Sequence, residues 1–408
     1  MKKYILFLFL FVSCSVVENT NNPIGIGITP KFSDLTPTSD YVIYSDCATL
    51  PTLYSGIHMF THTKPSYIYM GRAGTLNLTK LPSHVHEISN VEKMRTKIAD
   101  INSANPKATF TLYANDLRAA KAFKYFYSQG ISKNRVKVIL LTDGTQTYTQ
   151  FSDIYGDSLA YNTWKRNEII YDREFNKNPK PNLDINFFWE SEDNKGAFLT
   201  VPLIANNTYI WMQWPELLVS DSSDLRNYLS KSAKRYYKVD PLKYYKSLTI
   251  SKQDNFITLV GLDKKWAFNE GNGTLKDQTI EEALDASPKE NIIITGTVPY
   301  GNTDEYIAKV KAYYGTGYDY FFKGHPRETT HPSDKNIVVF PFQLPMESIV
   351  WAYGNKISIM GGHDGSLYMN APKEMKKFFF NHKSNGSTLV SPLDIMFKQG
   401  VLGEVKFF

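Results

Sequence analysis

At 408 residues, 42% of them hydrophobic and 14% aromatic, the chain is too long for one small domain and can bury the cores of two. Its formal net charge of +6, from 46 Lys and Arg against 40 Asp and Glu, suits an anionic substrate. The excess is too small and too dispersed to indicate nucleic acid as a partner.

In chain order, Lys2 and Lys3 precede an apolar run from Tyr4 to Val12, far shorter than the roughly 20 residues a membrane span needs. Residues 1–13 are therefore expected to be a signal segment. The run Phe11-Val12-Ser13-Cys14 resembles a bacterial lipoprotein processing site, with Phe where a leucine is usual. Lipidation is expected at Cys14, leaving Cys47 as the one free thiol and no intramolecular disulfide. Residues 14–39, rich in Asn, Thr, Pro and Gly without periodicity, are expected to form a lipid-anchored flexible tether. The expected location is thus the bacterial cell envelope, with the protein anchored to a membrane after removal of the signal peptide.

From Asp40 onward, short β-rich runs alternate with segments of helical spacing, the pattern of parallel sheets covered on both faces. Strands are predicted at Tyr41–Ser45, Ser66–Met70, Thr109–Tyr113 and Val136–Leu141. A helix is predicted through Val91, Met94, Ile98 and Ile101, and another is capped by Asp116 and runs through Phe123 and Phe126 to Gly130. The stretch from Gln146 to Pro215 is polar and aromatic with weak periodicity and reads as loops and helices between two halves. A second series of strands follows at Phe256–Val260, Ile292–Thr295, Tyr318–Phe322, Ile337–Phe340, Ile357–Met360 and Lys377–Phe380. Between them lies a helix over Thr303–Tyr314, capped by Asn302 or Thr303. The fold class is α/β, with two doubly wound Rossmann-like domains facing a cleft: residues 40–200, completed by the segment 388–408 with its helix Pro392–Gly400, and residues 201–387.

In open parallel sheets ligands sit beyond the carboxyl ends of the strands, which directs attention to a few turns. Asp143 follows the apolar run Val138 to Leu141 and precedes Gly144, so its carboxylate can stand exposed at the sheet edge and take a proton from a hydroxyl. A plain strand-ending Asp-Gly turn has the same signature. Lys323-Gly324-His325-Pro326 also follows an apolar strand; an imidazole held beside a cation suits a leaving phosphate, and a tight structural turn is the alternative. Thr295-Gly296-Thr297 and the run Gly361 to Ser366 supply small residues and backbone N–H groups for an anion, with His363 beside Asp364 as a rival acid/base. His58 and His62, and His84 and His86, stand close in sequence, but Glu87 lacks the second His of an HExxH motif. No metal is expected, and these histidines read as solvated or core-edge groups. No Gly-x-Ser-x-Gly elbow occurs.

Taken together, the run Ile43 to Leu53, Asp143-Gly144-Thr145, Thr295-Gly296-Thr297, Tyr318 to Pro326, Leu344-Pro345-Met346-Glu347 and Gly361 to Tyr368 resemble the bacterial sialyltransferases of marine Photobacterium and Vibrio and of Pasteurella multocida. That family has two Rossmann-like domains in the GT-B arrangement. The resemblance implies that Asp143 is the general base on the acceptor hydroxyl and that His325 assists the CMP leaving group. It further implies that Glu347 reads the ribose, that Lys323 and Pro326 flank the cytidine, and that Ser366, with Gly365, meets the phosphate. Gly324, Thr295, Gly296, Thr297, Asn115 and Thr49 complete the donor side, while Arg72 and Tyr300 join Asp143 on the acceptor side.

The sequence departs from the family pattern where Thr142 replaces the first acid of the usual Asp-Asp-Gly-Ser and Thr145 its serine. Gly365 stands for the first serine of a Ser-Ser pair, and Arg118 for a histidine near the donor. The expected partners are CMP-sialic acid and a galactose-ended oligosaccharide or lipooligosaccharide, joined in α-2,3 or α-2,6 linkage with inversion, without cofactor or metal. Rival readings are a GT-B transferase for another nucleotide sugar and a catalytically degenerate surface lipoprotein that binds glycans.

Overall fold

The computed structural model describes residues 27–46, 48–71, 74–116, 121–145, 147–149, 207–218, 233–269, 275–286, 288–296, 303–326, 331–380 and 389–408, with the isolated positions 162, 165 and 169. Cys14, Cys47, Arg72, Arg118, Thr297 and Tyr300 lie outside these residues.

Two parallel sheets organise the chain. The first is built from β1 (Tyr41–Asp46), β2 (Ser66–Met70), β3 (Val85–Glu87), β4 (Phe110–Asn115), β5 (Val136–Leu141), β6 (Thr208–Met212) and β7 (Tyr236–Lys238). Its spatial order is β3-β2-β1-β4-β5-β6-β7. An antiparallel hairpin, β8 (Trp266–Asn269) and β9 (Leu275–Gln278), leads into the second sheet. That sheet comprises β10 (Glu290–Thr295), β11 (Tyr318–Lys323), β12 (Val338–Val339), β13 (Ile359–Gly362), β14 (Lys376–Phe379) and β15 (Val405–Phe407), in the order β12-β11-β10-β13-β14-β15. Each order reverses direction once, between β1 and β4 and between β10 and β13, which defines a doubly wound sheet and places its ligand crevice at that reversal.

The strands form where the sequence offers continuous apolar runs. All six residues of β4 are buried, as are the last four of β5, so both faces of the sheet are covered. The helix Val91–Ala104 covers one face through Met94, Ile98 and Ile101, and its start is capped by Asn90, whose side chain accepts from the Lys93 N–H at 2.8 Å. The helix Thr303–Tyr314 buries Tyr306, Ile307 and Val310 against the second sheet at the same spacing.

Four expectations are corrected. Phe256–Val260 is the end of a helix, Ile250–Val260, and not a strand. The β-branched run misleads, but its buried residues Phe256, Leu259 and Val260 follow a three-four spacing, and Gly261 ends the helix at φ 77°. This helix packs against both Thr49–Met59 of the first half and Met346–Tyr353 of the second, tying the halves together. Second, the first sheet continues through β6 and β7, past the boundary expected at residue 200. Third, β15 joins the second sheet beside β14, so the last strand of the segment 388–408 belongs with the second half.

Fourth, the stretch expected to be a flexible tether is docked from residue 27 onward. Ile28 bridges to Tyr237 at the edge of β7, Phe32 stacks on Tyr244 at 5.1 Å, and Leu35 is buried.

Candidate active site

The carboxyl ends of the two sheets converge on one cavity of about 320 Å³. Asp143 and Thr145 reach it from the turn after β5, and Ala48, Thr49 and Leu50 from the turn and helix after β1. Opposite them stand Thr295 and Gly296 at the end of β10, the turn Lys323 to Pro326 after β11, Glu347 with Leu344 to Met346, and His363 with Gly365 to Tyr368 after β13. Of the predicted site residues, Thr49, Asp143, Thr295, Gly296, Lys323, Gly324, His325, Pro326, Glu347, Gly365 and Ser366 thus meet in one place. Asn115 does not join them: it closes β4, is buried, and is no part of the cavity lining.

Gly144 explains how the halves approach so closely. Its φ is +60°, and a Cβ there would collide with the Cβ of Ser366 in the other half. Any other residue would push Asp143 away from the facing wall. The Asp143 backbone is braced from behind, since its N–H donates to Thr147 Oγ1 at 2.9 Å, and that hydroxyl donates to the fully buried Asp116 carboxylate at 2.6 Å. Sequence reasoning assigned Asp116 to a helix cap. Nothing in its spacing announced a partner 31 positions away. Thr142, where the resembling family carries an acid, is buried and offers the cavity no second base.

The opposite wall is equally fixed. Lys323 is buried and its ammonium donates to the carbonyls of Gly324 at 2.6 Å and Phe342 at 2.8 Å, so it shapes the turn that presents His325. Gly324 leaves room for the Phe342 ring, which a Cβ would approach to 2.7 Å. His325 itself is half-buried at the mouth of this turn.

Glu347 opens the helix Met346–Tyr353 and accepts a hydrogen bond from Ser366 Oγ at 3.2 Å. Burial pushes its carboxyl pKa up, and the charge of Asp143 adds to that rise, while its own backbone N–H, Ser366 and Lys323 oppose it. A carboxyl in this state is suited to sharing a proton with a ligand hydroxyl. Thr295 Oγ1 is joined to Tyr368 OH at 2.8 Å, closing the floor between β10 and β13.

The closely spaced histidines of the first half lie elsewhere. His58 and His62 are buried in the first core, a correction to their expected solvated or core-edge setting. Tyr44 OH bonds His58 Nδ1 at 2.7 Å and His62 Nε2 at 2.8 Å, while Tyr113 OH and the Leu35 carbonyl meet His58 Nε2 at 3.0 and 3.1 Å. Among the described residues no three His, Cys, Asp or Glu side chains converge as metal ligands.

No protein-family model matches the chain, and no curated protein matches it in sequence. Solved structures do match. An α/β-galactoside α-2,3-sialyltransferase from Photobacterium phosphoreum superposes with a TM-score of 0.67 at 17% identity, covering 91% of this chain and 99% of that one. The GT-B domain of a sialyltransferase from Photobacterium damselae gives a TM-score of 0.57 at 19% identity over 90% of this chain and 99% of that one. A second structure of the sialyltransferase from Photobacterium damsela gives 0.58 at 18% identity, over 90% and 81% of the two chains. At these identities the likeness is one of fold: the chain has the two-domain GT-B architecture of the bacterial sialyltransferases.

Proposed function

We propose that the chain is an inverting, metal-independent sialyltransferase that moves sialic acid from CMP-sialic acid to the terminal galactose of an oligosaccharide, in α-2,3 or α-2,6 linkage. The observation that carries this reading is a carboxylate from one sheet and an imidazole from the other lining a single cavity. One-step displacement at the donor's anomeric carbon needs a base on one face and a stabiliser of the departing group on the other. Asp143 accepts the proton of a galactose hydroxyl as its oxygen bonds to the anomeric carbon. The bond from that carbon to the CMP oxygen breaks, its electron pair stays on the phosphate, and His325 meets the charge that develops. No covalent enzyme intermediate forms, so the configuration inverts.

Glu347 would accept from the ribose hydroxyls, Ser366 and Gly365 would face the phosphate, and Lys323 and Pro326 would border the cytosine. Asn115, buried at the end of β4 and outside the lining, would act on the donor side through its neighbours, while Arg72 and Tyr300 are proposed for the acceptor side and Thr297 for the donor. We further propose that Cys14 is lipidated and that the enzyme is held at a membrane of the bacterial envelope.

A donor screen tests the assignment. Purified protein with EDTA and lactose is expected to give sialyllactose from CMP-sialic acid and no product from UDP-sugars. Transfer from a UDP-sugar alone, or turnover that depends strictly on an added divalent cation, would contradict it.

A further inference from the structure

In the second sheet the strand order reverses between β10 and β13, so the crevice between their carboxyl ends is the position where an open parallel sheet receives its ligand. Thr295 is in register with Lys323 on one side and with Gly362 on the other. Gly296, the next residue, donates its N–H to the Lys323 carbonyl at 3.0 Å on the β11 side, and His363 is the residue after Gly362 on the β13 side. The chemistry proposed above uses the imidazole of the β11 side, His325. His363, on the β13 side, lines the same cavity and has been given no task.

His363 is held as a binding group is held. It is 6% exposed, with its ring set edge-on against Tyr306 at 5.2 Å and Phe380 at 5.6 Å. The backbone before it cannot drift, because Gly362 lies so close to the Thr295 carbonyl that any side chain there would collide. Asp364 beyond it accepts the Val390 N–H at 2.9 Å, fixing the turn from the other end. A ring so placed loses little rotamer freedom on meeting a ligand. The same wall also has a demand for a donor. Ser366 has one hydroxyl proton, and it is directed to Glu347 Oε1. Gly365 has no side-chain donor at all.

Resting on the reading of this cavity as a CMP-sugar site, we infer that His363 is a second phosphate ligand, donating a ring N–H to the nucleotide phosphate from the β13 side while His325 attends the departing oxygen from the β11 side. As the sugar leaves, the phosphate gains a negative charge, so this hydrogen bond strengthens through the reaction and is strongest to the CMP product.

Titration calorimetry of the full chain with CMP and with cytidine tests the inference, because only CMP carries the phosphate. His363→Phe keeps an aromatic ring edge-on against the stacked Tyr306 and Phe380 but has no donor, and His363→Gln keeps a donor. His363→Phe is expected to melt as the wild type does, to weaken CMP binding on the order of tenfold to a hundredfold, and to leave cytidine binding unchanged. His363→Gln is expected to recover part of the loss. In turnover, KM for CMP-sialic acid rises more than kcat falls, the reverse of His325→Ala. If CMP and cytidine weaken together, or if neither weakens, the assignment of His363 is overturned while the cavity's nucleotide reading stands. If the wild type binds neither ligand, that reading falls and the inference with it.

Discussion

The chain places its histidines in two settings, and the contrast separates structure from chemistry. In the first core, His58, fully buried, is hydrogen-bonded by Tyr44 and Tyr113 and by the Leu35 carbonyl, and burial holds its pKa well below the ordinary value. His62 shares Tyr44, and burial, with the nearby His84, lowers its pKa to about 4. These rings are neutral and committed to partners. At the cleft, His325 and His363 stand at strand ends and line a cavity wide enough for a ligand. His58 and His62, which stand close in sequence, are held in the core, and the two that stand apart, His325 and His363, are those that reach the cavity.

The sharpest way to break this comparison is to exchange the consequences of the two sets. His325→Ala is expected to lower kcat by about a hundredfold or more while leaving the melting temperature near that of the wild type. A similar kcat with a lower melting temperature would put His325 in the structural class.

His58→Leu should do the opposite. It strands the Tyr113 hydroxyl and the Leu35 carbonyl and removes one of the Tyr44 hydroxyl's two imidazole partners, and is expected to cost about 3 kcal/mol in denaturant unfolding, with normal activity in the molecules that remain folded. A variant as stable as the wild type would remove the network's structural role.

The network also sets a pH dependence. The folded protein holds these imidazoles neutral, whereas unfolded histidines bind protons below the ordinary value of 6.5. The unfolded state therefore takes up more protons between 6.5 and about 4, and stability present above that window is lost as pH falls through it. Unfolding midpoints measured across this range in the wild type and in His62→Asn check the sign, the variant showing the shallower decline. The smallest effect is expected at His86, which is exposed and outside the network: His86→Ala should stay within about 0.5 kcal/mol.

Much of the fold was legible because its strands are buried on both faces and read as unbroken apolar runs. β2 and β5 have the boundaries their sequences predict, and β1 and β10 are displaced by one or two residues at an end. The misread segment, Phe256–Val260, carried β-formers on a helix whose burial comes from packing between the two halves, a tertiary effect that local propensity does not contain. β6 and β7 lay in or near a polar, aromatic stretch where half-buried residues blur the period, and β15 is too short at three residues to show one.

At the site, residues at strand ends were legible because topology alone sends them to the cleft. The Asp116 to Thr147 brace, the Gly144 contact with Ser366 and the isolation of Asn115 depend on distances between elements, which no spacing in the chain encodes.

The central claim is that the Asp143 carboxylate removes the acceptor proton during transfer. Single-turnover transfer from CMP-sialic acid to lactose, measured for the wild type and for Asp143→Asn with both saturated in donor, addresses it directly. The account predicts that the variant binds CMP as the wild type does and transfers about a hundredfold or more slowly. A variant transferring at the wild-type rate would contradict it.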